Sequence, residues 1–543
     1  MDKQPSEQGL KTVTESKITT EPTKYLAGWR LMVVTSALGL AIFLVTMEVS
    51  IVATALVPIA DHLHAFDRTS WIVTAYLLTY TGFLIIFAKL SDLVGRKSVL
   101  MLTLSLFIIF SGACAAVNTI EQLIILRAFQ GVGASGCYSV TVAIFFELVP
   151  PSKFAFTTSL ISAIFALAFL IGPFVGGAIT QLSSWKWVFL LNVPAGVVCI
   201  VILSFALPNG FPNHNNCSRA QPVSESIFKK IRRLDLLGTL LLLASSILLV
   251  TGLQQAGNAY RWDSPLIITC LVLSALTWIA FFAWSRYSTA KERPGGHEPV
   301  FPWRFVQSRT RIGMLISIFL TGMPFTVAVI QIPLRFQAVD GLSPLQAGIR
   351  LLPYAVLNPL GSILAPWIAK RFQIPPIYIM VFGASIQVVG AALLTTAPTN
   401  KHVPAGYYVY EGIAGFGTGL NLACLIVMTP FAADKRDKAV AMSAMVQSRI
   451  LGGALGLAIV TTVFTGYVTR TLMDASFSSS EVKMLLESTK AFAGIDGGKA
   501  HLARTIFAKG HNFQMAIVAG LSGAQILAAL LLWEKPQIRI PNK

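Results

Sequence analysis

Four charged residues stand where the surrounding sequence offers no water: Glu48, Arg127, Glu411 and Arg449, each inside a long apolar run. A charge at that depth costs about 2.5–3.5 kcal/mol on insertion scales, so it needs a compensating reason. A carboxylate so placed answers to two opposed influences. Loss of solvent favours the neutral acid, and a neighbouring guanidinium favours the anion. A change in water access or in arginine distance would move its proton affinity, which is the behaviour a proton-coupled site requires. The competing reading, for Glu48 and Arg127 as for Glu411 and Arg449, is a static ion pair that locks helices together.

The elements that must hold these charges are membrane-spanning helices. The chain has 543 residues, of which 54% are hydrophobic and 12% charged, with a mean hydropathy of +0.68. Soluble proteins carry about 25% charged residues. The formal charge of +18 would suit a nucleic-acid binder, but such proteins display their charge on a polar surface. Here it is squeezed into gaps between apolar runs. Disordered, collagenous and disulfide-rich secreted chains are excluded by the same composition. A spanning helix needs about 20 mostly apolar residues. That ruler predicts fourteen, near 31–57, 71–90, 98–117, 120–146, 156–180, 187–207, 236–253, 265–285, 311–333, 346–369, 377–397, 404–430, 441–468 and 513–533. The segments 187–207, which opens with tryptophans, and 236–253, which is short, carry the weakest signal.

An even number of spans puts both termini on one side. With the amino end in the cytosol, cytosolic segments hold 28 basic against 13 acidic residues and outer segments 12 against 9, with two of each inside the membrane. The positive-inside rule therefore places both termini in the cytosol. Glu48 then lies about 27 Å beyond Arg30 along an outward-running helix. Arg127 lies near the outer start of an inward-running one. Both fall in the outer half, where they can meet. The expected organisation is a disordered cytosolic tail over 1–30, a six-helix bundle over 31–207, and basic linkers flanking two extra helices over 208–310. A second six-helix bundle follows over 311–533, with an outer loop at 469–512, and then a cytosolic tail at 534–543. The clusters Lys229, Lys230, Arg232, Arg233 and Arg286, Lys291, Arg293, Arg304, Arg309 fix topology or bind anionic headgroups. Val482, Leu485 and Leu486 share one helical face in the outer loop, the pattern of an interfacial amphipathic helix. The sequon Asn216-Cys217-Ser218 falls in the cytosol and should carry no glycan.

Other chemistries find little support. No phosphate-binding loop is present and no soluble stretch is long enough for an ATPase domain, so transport must draw on an ion gradient or run downhill. All seven histidines fall outside the predicted spans, which disfavours a membrane enzyme with a histidine base or histidine metal ligands. Five of the six cysteines lie in apolar stretches and none has metal-site spacing, so they read as small packing residues. Neither a metal nor an organic cofactor is expected; the proton gradient is the energy source. Residues 1–30 are polar, without the apolar core of a signal peptide.

Several segments carry a family resemblance. Ala88-Lys-Leu-Ser-Asp92-Leu-Val-Gly95-Arg96-Lys97 resembles the GxLxDxxGRK loop of the major facilitator superfamily, and Arg127-Ala-Phe-Gln130-Gly131-Val-Gly133 its RxxQGxG motif. Gly172-Pro173-Phe-Val-Gly176-Gly177 is similar to the GPxxGG element of antiporters. Glu48-Val-Ser50-Ile51-Val52-Ala-Thr-Ala55-Leu56-Val-Pro58 resembles the helix-one DxTIVNVALP of the fourteen-helix drug:proton antiporters. Trp185-Lys186-Trp187-Val-Phe189-Leu-Leu-Asn192-Val-Pro194 resembles their WRWxFxxNxP. Pro333-Leu-Arg-Phe336-Gln337 and Ser343-Pro344-Leu-Gln-Ala347-Gly348 are similar to their helix nine-to-ten connection. Six motifs fall in order over nearly the whole chain beyond the tail, most like fungal multidrug and toxin-efflux pumps. Glu48 stands where an Asp is usual, and Ala88 and Ala168 where Gly is usual.

The resemblance implies an all-α, fourteen-helix polytopic fold arranged six, two, six, with two bundles rocking about a midplane site. It implies Glu48 and Arg127 as the proton-coupling pair and Asp92, Gly95, Arg96 and Lys97 as a conformational latch. It also implies close packing at Gly172, Pro173, Gly176 and Gly177. Candidate cavity residues are Tyr76, Gln130, Gln331, Asn358, Gln387, Glu411, Asn421 and Arg449. The expected function is a monomeric proton-coupled antiporter of the plasma membrane, exporting small, mostly apolar organic compounds and binding no nucleic acid. An uptake symporter for siderophore-like solutes, or a non-transporting receptor on the same fold, is the alternative.

Overall fold

The computed structural model describes residues 28–150, 154–208, 211, 235–256, 260–290, 299, 301, 303–399, 403–432, 438–487, 492, 497–535 and 537. Residues 1–27, the cluster at Lys229–Arg233 and the sequon at Asn216 lie outside them, as do Lys291 and Arg293. Fourteen helices are long and apolar enough to cross a membrane. They are α1 (Trp29–Leu63), α2 (Thr69–Val94), α3 (Arg96–Ala115), α4 (Ile120–Glu147), α5 (Phe154–Leu182), α6 (Lys186–Ala206), α7 (Leu236–Gln255) and α8 (Pro265–Ala290). The rest are α9 (Arg309–Ala338), α10 (Pro344–Arg371), α11 (Pro376–Leu394), α12 (Gly406–Ala432), α13 (Lys438–Asp474) and α14 (Gly497–Leu530). Both weak sequence signals form helices. α6 breaks after its first five residues, at Leu191. α7 is started by Asp235, whose carboxylate accepts from the Gly238 amide at 2.8 Å and from the Trp284 indole of α8 at 2.7 Å.

Helices α1–α6 pack chiefly on one another, and so do α9–α14. α7 and α8 pair, and α7 fills the groove between α2 and α13, where the Gln254 amide donates to Thr74 Oγ1 and Thr462 Oγ1 to the Leu253 carbonyl. α8 leaves Ile268, Val272, Leu276 and Ile279 exposed on its outer side, which is the composition of a lipid-facing helix. Arg309, at the start of α9, donates to the carbonyl of Leu530 at the end of α14. Gln337, near the end of α9, donates to Thr54 near the end of α1. The start of α1 and the end of α14 therefore lie on one face, the terminal face, and the opposite side is the far face.

Two departures from the sequence reading concern the last third of the chain. α13 runs on to Asp474 and α14 begins at Gly497, so the loop expected at 469–512 is much shorter. The extension of α14 is amphipathic, burying Ala503, Ile506, Phe507 and Ala508 beside exposed His501 and Leu502, and a hydropathy window averages such a face away. His511 is consequently inside a spanning helix, fully buried, with Nδ1 against Gln514 Oε1 at 2.9 Å; His62 sits in the last turn of α1. Not all seven histidines lie outside the spans. Between α13 and α14 a short helix, Ser479–Glu487, does form. Its apolar face is turned to the protein: Val482 and Leu485 are buried against the end of α13 and the turn Phe66–Arg68. It caps the far face.

Candidate functional site

Glu48 of α1 and Arg127 of α4 meet, and each is fully buried. Arg127 Nη1 donates to Glu48 Oε1 and also reaches Gln130 Oε1 at 2.7 Å. Its Nε donates to the Ile72 carbonyl of α2 at 3.1 Å. The ring of Tyr76 lies against the guanidinium, 4.3 Å from centroid to Cζ, and Phe189 stands 5.6 Å away. The second Glu48 oxygen accepts from Asn192 Nδ2 at 2.6 Å. Gln130 Nε2 in turn donates to Ser111 Oγ of α3 at 2.7 Å. Five helices thus converge on one carboxylate. A dry carboxylate–guanidinium pair with extra hydrogen bonds is held firmly, because any rearrangement leaves a buried group unsatisfied. Nη2 of Arg127 and Oδ1 of Asn192 have no hydrogen-bond partner among the described residues.

Sequence reasoning placed Asn192 in a motif but gave it no role at this site. The helix break at Leu191 aims it: the second piece of α6 starts at Asn192, so the side chain turns inward beside α1. Nothing in local hydropathy marks that orientation.

Near the terminal face, Arg96 at the start of α3 pairs with Asp92 and with Glu147 at the end of α4, through Nη2 at 2.7 Å and Nε at 3.1 Å. Glu147 was not singled out by the sequence. Lys97 donates instead to the carbonyls of Ser204 and Leu207 at the end of α6. Gly95 joins α2 to α3 with φ +115, a conformation that side-chain-bearing residues rarely adopt. On the far half, Gly172 and Gly176 let α5 approach Ser50, Ile51 and Thr54 of α1, and Gly177 faces the backbone of Pro344 and Leu345 in α10.

The candidate cavity residues divide. Tyr76 and Gln130 belong to the Glu48 centre. Gln387 and Asn421 are joined at 3.0 Å, and Asn421 also donates to Gln525 of α14 at 3.0 Å; all three are buried inside the α9–α14 group. Gln331 donates to Thr461 at 3.4 Å. Asn358 lines a void of about 10 Å³ between the two groups, with Ser50, Phe169, Pro173 and Phe325. Glu411 and Arg449 do not pair. Glu411 is fully buried near the far face, within electrostatic reach of Arg335 and Arg350, and neither of its oxygens has a hydrogen-bond partner among the described residues. Arg449 lies about 16 Å of helix rise from the terminal-face end of α13, against Phe325.

A membrane-spanning helical fold with a buried acid–arginine centre between its helices is the build of a secondary transporter. The sequence matches the Major Facilitator Superfamily over residues 38–291 and 253–457, and the chain belongs to that family. It is an integral membrane carrier of small molecules and not an enzyme. It is 39% identical over 525 residues to the MFS-type transporter FPY5 of Fusarium mangiferae, covering 96% of this chain and 87% of that protein. With the MFS-type efflux pump MFS1 of Arthroderma benhamiae it shares 30% over 461 residues, 84% and 82% of the two chains. Among solved structures, a bacterial homolog of the human lysosomal transporter Spinster, inward-facing and unoccupied, superposes with a TM-score of 0.65 over 94% of this chain and 100% of that one, at 13% identity.

Proposed function

We propose that this carrier is a proton-coupled antiporter that exports small, mostly apolar organic compounds across the plasma membrane. In this reading the helices form two six-helix bundles, α1–α6 and α9–α14, with α7 and α8 between them and the terminal face in the cytosol. The observation that carries the proposal is the Glu48–Arg127–Asn192 centre, a fully buried carboxylate held by an arginine and an amide. The two groups meet in their far halves, at Gly177 with Leu345 and Gly348 with Pro173, as an inward-facing state requires. Protonation of Glu48 from outside loosens Arg127 and favours release of substrate outward. Deprotonation toward the cytosol restores the pair and readies the site for another load. One proton falling through about 100 mV supplies about 2.3 kcal/mol, and one pH unit adds about 1.4 kcal/mol. Together these sustain a gradient of several hundredfold for a neutral solute.

The test is export of a panel of fluorescent organic dyes from proteoliposomes under an imposed pH gradient. Glu48→Gln should abolish proton-driven flux at normal expression, Arg127→Ala should do the same, and Arg127→Lys should rescue only in part. Normal transport by Glu48→Gln would remove the carboxylate from the mechanism. Proton movement opposite to the dye separates antiport from uptake by symport, and gradient-independent behaviour of the parent protein would favour a receptor.

A further inference from the structure

Arg449 is a spanning cation that the coupling scheme leaves unused. Arg127 has Glu48, and Arg335 faces Glu411 and Asp340. Arg449 forms neither a hydrogen bond nor an ion pair with any described residue. Its guanidinium stands 5.6 Å from the ring of Phe325 on α9, and Phe325 meets Phe169 of α5 edge-on at 5.0 Å. It is also within electrostatic reach of Tyr80 on α2 and Tyr138 on α4. Those two rings lie 6.0 Å apart, Phe165 stacks on Tyr138 at 5.9 Å, and Tyr76 of the proton centre stands 5.9 Å from Tyr80. A permanent positive charge on one helix group therefore faces a wall of aromatic rings on the other, at mid-depth, where the groups must part for anything to pass.

A guanidinium presents planar, paired donors that match a carboxylate and stacks on aromatic faces. A neutral ligand would leave this charge uncompensated, and a cationic one would oppose it. We propose that Arg449 anchors the substrate, and that the substrate is an organic acid on a flat conjugated skeleton. Its carboxylate, or an equally acidic enol or phenol, sits on Arg449, and its body lies between Tyr80 and Tyr138 on one side and Phe169 and Phe325 on the other. This assignment rests on the transport reading above and narrows its substrate class. The run of rings from Tyr138 through Tyr80 to Tyr76 extends from the Arg449 side toward the Glu48–Arg127 pair.

Binding to the purified full chain in detergent tests the assignment apart from transport. Three probes of one shape serve: pyrenebutyrate, its neutral amide and the corresponding primary amine, followed by fluorescence polarisation. The acid should bind at least about tenfold more tightly than the amide, as expected for charge-assisted hydrogen bonds, and the amine most weakly. Arg449→Gln should erase the preference for the acid while amide binding stays within about twofold, which also reports an intact fold. Arg449→Lys should keep part of the preference. Glu48→Gln should retain it even though proton-driven flux is lost, so the two readings fail separately. Equal binding of acid and amide, binding of none of the probes, or a preference that survives Arg449→Gln would overturn the assignment.

Discussion

At Gly177 a single methyl group should shift the conformational balance of the carrier. A Cβ built there would fall 2.6 Å from Leu345 Cα and 2.6 Å from the Pro344 carbonyl oxygen. Both atoms belong to the backbone of α10, so no side-chain rotation can relieve the contact. Ordinary carbon contacts need about 3.5–4.0 Å, and α5 must withdraw from α10 by about 1 Å. Overpacking of this kind costs about 1–3 kcal/mol, and only the state with the far halves together bears that cost. The ratio of far-open to far-closed molecules in Gly177→Ala should rise about five- to 150-fold, since about 1.4 kcal/mol corresponds to a factor of ten. Double electron–electron resonance between nitroxides at the exposed far-face positions Asn118 and Thr396, in a background with the native cysteines replaced, measures that ratio as a longer-distance population. Gly523→Ala is the control, because a Cβ at Gly523 meets nothing within 4 Å. A distance distribution in Gly177→Ala that matches both the control and the parent would refute the view that this contact closes the far face.

Three further outcomes are expected. Asn192→Ala should lower proton-driven flux in vesicles by about tenfold or more at unchanged expression, because it removes a charge-assisted hydrogen bond of about 1.5–3 kcal/mol from Glu48; parental flux would exclude Asn192 from coupling. Glu147→Gln should reduce thermal stability by about 1 kcal/mol and Asp92→Asn by less, since the Glu147 side chain is 27% exposed and that of Asp92 is 59% exposed; the reverse order in melting experiments would contradict the geometry of Arg96. Asp340, in the turn after α9, has neither carboxylate oxygen hydrogen-bonded to a described residue, and burial pushes it up to about 6 despite Arg335 and Arg350 nearby. Its folded value exceeds its unfolded one, so the stabilisation it lends is complete below about pH 4 and is lost as pH rises through about 6. Asp340→Asn should therefore flatten the fall in melting temperature over that interval, and an unchanged pH profile would refute the assignment.

The fourteen spans were legible in the sequence because each is a local property: twenty apolar residues in a row need no partner to declare themselves. The weak segment 236–253 became α7 with help from Asp235, a cap visible in the sequence once the helix start is known. The start of α14 was missed, because 497–512 is apolar on one face only and that face is buried by helices far away in sequence. Motif resemblance also pointed to Glu48 and Arg127 as a pair, and burial energetics required some partner for each.

Which partner each charge takes is another matter. Arg96 chose Glu147, 51 residues away, and Glu48 gained Asn192, 144 residues away. Glu411 and Arg449, similar in the sequence as lone charges in apolar runs, ended at different depths with unlike neighbours. The chain by itself determined how many helices form and which charges fall inside them, since those follow from hydration of short segments. Only the tertiary structure decided which groups meet, because pairing depends on helix rotation, tilt and breaks such as the one at Leu191. Those are set by packing between helices and not by any one helix's own residues.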